Sequence, residues 1–169
     1  MSNKPDTPIS TRLQAGQGGV REGEWTMPLV RIDLVEGKSP EYREKVGEIV
    51  YQTLLDVLSV PEHDRFQVIT EQRKDGLAFD HDYLGVHRSD NCIFLQITLN
   101  AGRSVELKQR FYKAVTDNLH EGVKLRREDV LINLVEVPQE NWSYGNGEAQ
   151  YVSPSRVSRL NFLRDGERP

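Results

Sequence analysis

The feature that most constrains this chain is an internal repeat. Moved along itself by 65 residues without a gap, Ile32-Asp33-Leu34-Val35-Glu36-Gly37-Lys38-Ser39 falls on Ile97-Thr98-Leu99-Asn100-Ala101-Gly102-Arg103-Ser104. In the same frame Glu41 falls on Glu106, Arg43 on Lys108 and Asp64 on Asp129. Two generic strand-to-helix joints share a glycine or a cap by chance, but here the whole Gly-basic-Ser-x-Glu string is kept in one ungapped frame. The repeat therefore predicts two β–α–β units, whose strands join in one sheet with both helices on one face.

The periodicities agree. Leu29-Val30-Arg31-Ile32-Asp33-Leu34-Val35 is rich in branched residues and partly alternates, which marks a strand that Gly37 ends. Ser39-Pro40 supplies an N-cap and an N1 proline. Tyr42, Val46, Ile49, Val50, Thr53, Leu54, Val57 and Leu58 then recur at threes and fours, giving a mostly apolar stripe on a helix of about five turns. Phe66-Gln67-Val68-Ile69 reads as the second strand, and the polar residues 71–90 as a long loop with room for a short strand pair. Cys92 to Leu99 is the third, more buried strand. Ser104 caps a second helix with Leu107, Phe111, Val115 and Leu119 spaced by fours, and Val130 to Val137 is the fourth strand. Gly145-Asn146-Gly147 signals a tight turn, read as that of a small hairpin. The expected class is α/β, a two-layer α+β arrangement of four strands, two helices and a hairpin. The fourth strand alternates weakly, as a strand buried on both faces does. With no third long helix to cover the second face, a homo-oligomer is expected.

Flanking this domain, placed at residues 27–152, are segments of another character. Residues 1–26 hold Pro5, Pro8 and the string Gln14-Ala15-Gly16-Gln17-Gly18-Gly19, without strand or helix period, and read as a disordered lead-in. Residues 153–169 are arginine-rich and read as a loose tail in which Val157, Leu160, Phe162 and Leu163 suffice for one docked turn. A net charge of −4 argues against a nucleic-acid backbone as partner. No apolar run approaches the roughly 20 residues of a membrane span, and no signal-peptide core is evident. A single cysteine, Cys92, rules out an internal disulfide, which leaves the compartment open, with the cytosol as the default expectation.

The familiar catalytic constellations are missing. There is no glycine-rich phosphate loop after a strand and no Ser–His–Asp elbow. His63, His81, His87 and His120 lie apart, and Asp80-His81-Asp82 reads as a solvated acidic turn rather than a metal site, since no second histidine sits at i+4. Cys92 opens a buried strand and reads as core rather than as a nucleophile. Pro28 stands at the head of the first strand, where proline is unremarkable. Yet it directly follows an internal methionine, Met27. Were synthesis to begin there, removal of the initiator would expose Pro28 as a free secondary amine.

Pro28-Leu29-Val30-Arg31-Ile32-Asp33-Leu34 followed by Glu36-Gly37 resembles the start of tautomerase-superfamily proteins. Val60-Pro61, Asp64-Arg65-Phe66-Gln67, Gly102-Arg103-Ser104 and Trp142-Ser143-Tyr144-Gly145 resemble the malonate semialdehyde decarboxylase-like branch. The likeness runs from about Pro28 to Val152. It implies two fused β–α–β units, a homotrimer, a small carboxylate substrate, and a catalytic N-terminal proline with no cofactor or metal. Residue by residue, Pro28 matches the catalytic proline, and Asp64 the aspartate that orients or activates water or polarises the substrate. Arg103 matches the second of two substrate-binding arginines, and Trp142 and Tyr144 an aromatic wall. The first arginine of the pair falls on Ala101, a departure. Plainer readings of the same residues are a helix-to-strand turn for Asp64, a solvated charge for Arg103 and interface packing for Trp142 and Tyr144. Lys38, the repeat mate of Arg103, reads as a solvated surface charge.

The implied chemistry is proton transfer. A free α-amine with a reference pKa near ~8 is lowered by a nearby cation or an apolar pocket and can take a proton from carbon beside a carbonyl. Arg103 would fork onto the carboxylate and steady the enolate. The expected reaction is keto–enol tautomerisation of a 2-oxo acid, with decarboxylation or hydration as the alternative if the amine is protonated and works with Asp64.

As an internal residue, however, Pro28 has an amide nitrogen with neither a basic lone pair nor a proton. Three readings stay open. In the first, translation starts at Met27, and Gly18-Gly19-Val20-Arg21-Glu22-Gly23-Glu24, mostly writable in purine-rich codons, is a translated ribosome-binding site. In the second, a real extension is cut before Pro28. In the third, it stays attached and the protein is a non-catalytic trimeric binding module.

Overall fold

The computed structural model describes residues 27–152; the lead-in and the tail lie outside the described residues. In chain order the elements are β1 (Leu29–Val35), α1 (Pro40–Leu58), β2 (Phe66–Gln72), β3 (Asp82–Tyr83), β4 (Val86–His87), β5 (Ile93–Asn100), α2 (Val105–Val123) and β6 (Val130–Val137). Both helices run 19 residues, and their bounds are 65 residues apart at each end. Each begins the way its sequence dictates. Ser39 Oγ accepts the N–H of Tyr42 at 3.2 Å, and Ser104 Oγ accepts that of Leu107 at 3.2 Å, closing one orphan donor at each N-terminus. Each ends on a left-handed residue that is not glycine, Ser59 at φ 54° and Lys124 at φ 58°.

The sheet order is β2-β1-β5-β6. β1 is parallel to β2 and β5 parallel to β6, as a β–α–β crossover requires, while β1 and β5 pair antiparallel at the centre. The two units are thus related by a pseudo-twofold axis through the sheet, as the repeat predicts. Val30, Ile32 and Leu34 of β1 and Ile93, Leu95, Ile97 and Leu99 of β5 are buried against Val46, Val50 and Leu54 of α1 and Phe111, Val115 and Leu119 of α2. Each such side chain contributes about 1.5–3 kcal/mol by leaving water. Across the helix pair, Asn118 Nδ2 donates to Thr53 Oγ1 at 3.0 Å, and these too are repeat mates. Gly122 leaves the space that Ile49 of α1 fills; a β-carbon there would lie 2.5 Å from Ile49 Cδ1.

No helix among the described residues covers the other face of the sheet, and Leu29, Phe66 and Val68 are 37%, 45% and 44% exposed on it. Nor is any helix of the described residues long and apolar enough to cross a membrane.

Two expectations need correction. The hairpin is β3–β4, inside the polar stretch 71–90, where Asp82 pairs with His87 and Tyr83 with Val86. Its turn residues Leu84 and Gly85 both have positive φ, 52° and 76°, as a type I′ turn demands. Gly145-Asn146-Gly147 does turn, with positive φ throughout and Glu148 N–H donating to Gly145 O at 3.3 Å, but no strands among the described residues flank it. Second, β2 extends past Ile69 to Gln72, because Glu71 and Gln72 pair with Leu34 and Val35. Their polarity hid this from the sequence pattern.

Candidate active site

Pairing register decides which residues share an end of the sheet. Leu29 at the head of β1 lies beside Phe66 at the head of β2 and beside Thr98 near the tail of β5, and Thr98 lies beside Val135 near the tail of β6. Pro28, which is buried, Asp64, the turn holding Arg103, and the segment after β6 with Trp142 and Tyr144 therefore meet at one end. All five residues singled out from the sequence are placed there. Lys38 is not; it lies at the opposite end, at the tail of β1.

Asp64 sits in a turn whose N–H donates to Pro61 O at 3.4 Å. The turn is pinned from α1, since Tyr51 Oη accepts the N–H of His63 at 3.0 Å, and His63 takes a left-handed φ of 71°. Burial pushes the Asp64 carboxyl above its ordinary range, with His63 opposing. Its Oδ2 is shielded from solvent and has no hydrogen-bond partner among the described residues. The neighbouring Arg65 is committed elsewhere. It pairs with Glu48 at 2.8 Å, donates to Gln67 at 3.0 Å and lies over the Tyr51 ring at 5.2 Å.

Arg103 is half-buried and forms no ion pair among the described residues. One guanidinium nitrogen donates to Asn100 O at 2.7 Å. Burial lowers its pKa and Glu136 raises it. Its turn is held by a carboxylate that the sequence reading passed over. Glu136 accepts the backbone N–H of Arg103 at 3.4 Å and the ammonium of Lys108 at 2.7 Å. Burial works to raise the Glu136 pKa, but the Lys108 hydrogen bond and the backbone donors of Arg103 and Gly102 outweigh it and hold it low. The signal was present in the repeat, because Glu71 and Arg43, the mates of Glu136 and Lys108, form the matching ion pair, and Glu71 accepts the N–H of Gly37 at 3.2 Å.

The aromatic wall is a cluster. Trp142 stacks on Tyr144 with centroids 5.5 Å apart and planes 9° from parallel, and Tyr144 meets Tyr151 edge-on at 5.4 Å. Phe66 approaches Tyr144 at 6.3 Å, tying the wall to the head of β2 beside Asp64. Phe66 and Tyr151 were not singled out in sequence because nothing in the period separates them from ordinary strand and loop aromatics. Trp142 Nε1 is a buried donor without a partner among the described residues.

A cleft of about 550 Å³ lined by Val35, Lys74, Phe79, His81 and Asp90 opens elsewhere, at the tail of β1. Of its charges, Lys74 pairs with Asp90 at 2.5 Å and His81 with Asp90 at 3.6 Å. His81 Nδ1 faces the Arg88 carbonyl at 2.8 Å, and His87 faces Asp82. Cys92 is fully buried, and burial raises its thiol to about 11, which fits a core residue rather than a nucleophile.

A doubled β–α–β scaffold with a proline heading a central strand, and at the same end of the sheet an arginine with no ion pair among the described residues, belongs to a known class, and comparison identifies it. A family model described as tautomerase enzyme matches residues 64–145, and a second of the same description matches residues 28–86. The probable tautomerase YusQ of Bacillus subtilis is 36% identical over 126 residues, covering 75% of this chain and 99% of that protein. The probable tautomerase YrdN of the same organism is 30% identical, covering 75% and 98%. Among solved structures, FG41 malonate semialdehyde decarboxylase inhibited by 3-bromopropiolate is 35% identical, with a TM-score of 0.68 over 73% of this chain and 94% of that one. A fused 4-OT symmetric trimer shares the fold at 18% identity and a TM-score of 0.60. The chain belongs to the tautomerase superfamily and within it resembles the malonate semialdehyde decarboxylase branch.

Proposed function

We propose that this protein is a cofactor-independent isomerase that interconverts the keto and enol forms of a small 2-oxo acid, with the free amine of Pro28 carrying the proton. The observation that carries the reading is that a tautomerase family match begins at residue 28 itself, at the sheet end that also holds Asp64 and Arg103. The amine removes a proton from the carbon beside the carbonyl and returns it at the other end of the enolate. Arg103 binds the carboxylate and offsets the charge that builds on oxygen. Trp142 and Tyr144 provide the apolar side of the pocket, which keeps the amine from being fully protonated.

A second reading is favoured by Asp64. A carboxyl with a buried, unpartnered oxygen and a raised pKa is suited to handling water or a protonated intermediate. The 35% identical solved relative is a malonate semialdehyde decarboxylase. Malonate semialdehyde releasing carbon dioxide, with no turnover of an aryl 2-oxo acid enol, would select it. In either case the uncovered sheet face with Leu29, Phe66 and Val68 is assigned to contacts in a homotrimer.

The intact mass of the protein from its native host tests the central requirement. A chain beginning at Pro28 is expected, with turnover abolished in Pro28→Ala. A mature chain that keeps residues 1–27 has no basic nitrogen at position 28, and the protein would then be a non-catalytic binding module.

A further inference from the structure

The cleft at the tail of β1 lies at the end of the sheet away from Pro28, and hydrogen-bond acceptors dominate its polar lining. At about 550 Å³ it has the size of a small-molecule pocket. His81 is fixed there by its neighbours. Its backbone oxygen accepts the N–H of Arg88 at 2.8 Å, and its Nδ1 lies 2.8 Å from the Arg88 carbonyl oxygen. A carbonyl oxygen can only accept, so Nδ1 carries the proton. Phe79 packs against the ring with centroids 5.1 Å apart and is itself backed by Phe94 at 5.7 Å. With Nδ1 as the donor, Nε2 of the neutral ring is an acceptor, and it stands 3.6 Å from Asp90 Oδ1, which is another. Two acceptors that face each other call for a donor shared between them. The Lys74 ammonium is bound to the other oxygen, Asp90 Oδ2, at 2.5 Å. Asp80 also lines the cleft and makes no hydrogen bond or ion pair among the described residues. The lining thus sets one ammonium against two carboxylates, with apolar surface from Val35, Leu77 and Phe79 beside them.

We propose that this cleft is a second binding site, for a small primary amine in its ammonium form that carries an apolar body. The N–H donors of the ammonium supply what His81 Nε2 and Asp90 Oδ1 lack, and Asp80 balances its charge. The hydrocarbon lies against Leu77 and Phe79, whose ring face also attracts a cation. A proton on Nε2 closes the His81–Asp90 pair without a ligand, so the site is competent where the imidazole is neutral. A carboxylate ligand would bring no donor and would meet Asp80 and Asp90. The site therefore differs from the Pro28 end in place and in the sign of charge it takes, and it stands independently of the functional reading above.

Titration calorimetry of the full chain at about pH 8, where histidine is ordinarily neutral, with 2-phenylethylamine and 2-phenylethanol tests this, because the two differ only in the head group. The amine is expected to bind about tenfold more tightly than the alcohol, the margin of a charge-assisted hydrogen bond. Asp80→Asn and His81→Phe should each remove most of that margin. Asp80→Asn changes an exposed side chain that holds nothing in place, so its effect reads the charge and not the fold. Arg103→Ala, at the other end of the sheet, should leave the margin intact. An amine that fails to bind, binds no more tightly than the alcohol, or keeps its margin in both Asp80→Asn and His81→Phe would overturn the proposal. A margin lost in Arg103→Ala would move the binding to the Pro28 end and overturn it as well.

Discussion

Arg31 and Gln96 are repeat mates, and they face each other directly across the β1–β5 pair. The pseudo-twofold axis passes between them, so every residue at one end of the sheet has a counterpart at the other. The frame is doubled, but the chemistry is not. Pro28 has Ile93 as its mate, a core residue 2% exposed. Asp64 has Asp129, whose oxygens are both satisfied, and Arg103 has Lys38, which is tied to Asn91. The twin therefore supplies an internal control for each residue assigned to the site.

The two aspartates should respond oppositely to truncation. Asp129→Ala strands the N–H and hydroxyl of Ser89, and loss of buried partners of that kind costs about 2–4 kcal/mol. Asp64→Ala removes a carboxylate whose buried oxygen has no partner among the described residues, and the expected change is within about 1 kcal/mol of zero. Urea denaturation of both variants checks this; equal losses would mean that Asp64 is structural like its mate.

The stability difference should also depend on pH, with a definite sign. Burial raises the pKa of Asp64 in the folded chain above its ordinary value of 3.8. A raised carboxyl favours folding below the unfolded pKa, and that contribution is lost as pH rises through the folded pKa. Asp64→Asn, which carries no charge at any pH, is then expected to match the parent chain near pH 4 and to melt higher at pH 7, by an amount that partial solvent exposure keeps small. Melting curves across this range decide it, and a gap that widens toward acid would contradict the burial argument.

Much of this was legible in the sequence for a physical reason. The helices were read correctly because cap, N1 proline and apolar stripe all agree at Ser39-Pro40 and because Ser104 repeats the cap. The sheet was read because a β–α–β repeat leaves few ways to join four strands. What stayed hidden was polar. Glu71 and Gln72 extend β2 by backbone pairing that no hydrophobic pattern records. The Leu84-Gly85 turn places leucine at a positive φ that sequence rules reserve for glycine or asparagine. Of the site, Pro28 was already marked by the internal methionine before it and the other four proposed residues came from resemblance, while Glu136 and Lys108, which hold the Arg103 turn, look like any solvated pair until the register brings Glu136 beside Leu99.

Glu136 and Glu71 provide the next contrast. Each accepts a turn N–H and pairs with a cation, but only the turn held by Glu136 carries a residue assigned to substrate. Glu136→Gln is expected to raise KM several-fold and to lower kcat more modestly, because a loosened Arg103 holds the carboxylate less well throughout and offsets less of the charge that builds on the enolate oxygen. Glu71→Gln should leave KM untouched. A steady-state comparison of the two variants tests the assignment, and a fall in kcat alone for Glu136→Gln would place the carboxylate in the chemical step instead.

Ala101 is where this chain departs from the branch it resembles, which carries an arginine there. The residue is exposed, and its N–H donates to Val137 O at 3.0 Å, so the backbone of the turn is fixed independently of the side chain. Ala101→Arg therefore restores a second cation two residues from Arg103 without disturbing the turn, at the cost of some repulsion between the two guanidinium groups. Two cations hold a carboxylate more firmly than one, through charge-assisted bonds that are individually strong. The expected outcome is a severalfold lower KM for a short 2-oxo acid and a larger share of carbon dioxide release when malonate semialdehyde is offered. Tautomerisation of an aryl 2-oxo acid, which leans more on the Trp142–Tyr144 wall, should change less. Measuring both reactions on the same preparation separates these effects. If neither KM nor the product ratio moves, position 101 does not face the substrate, and the single arginine is no handicap to the site.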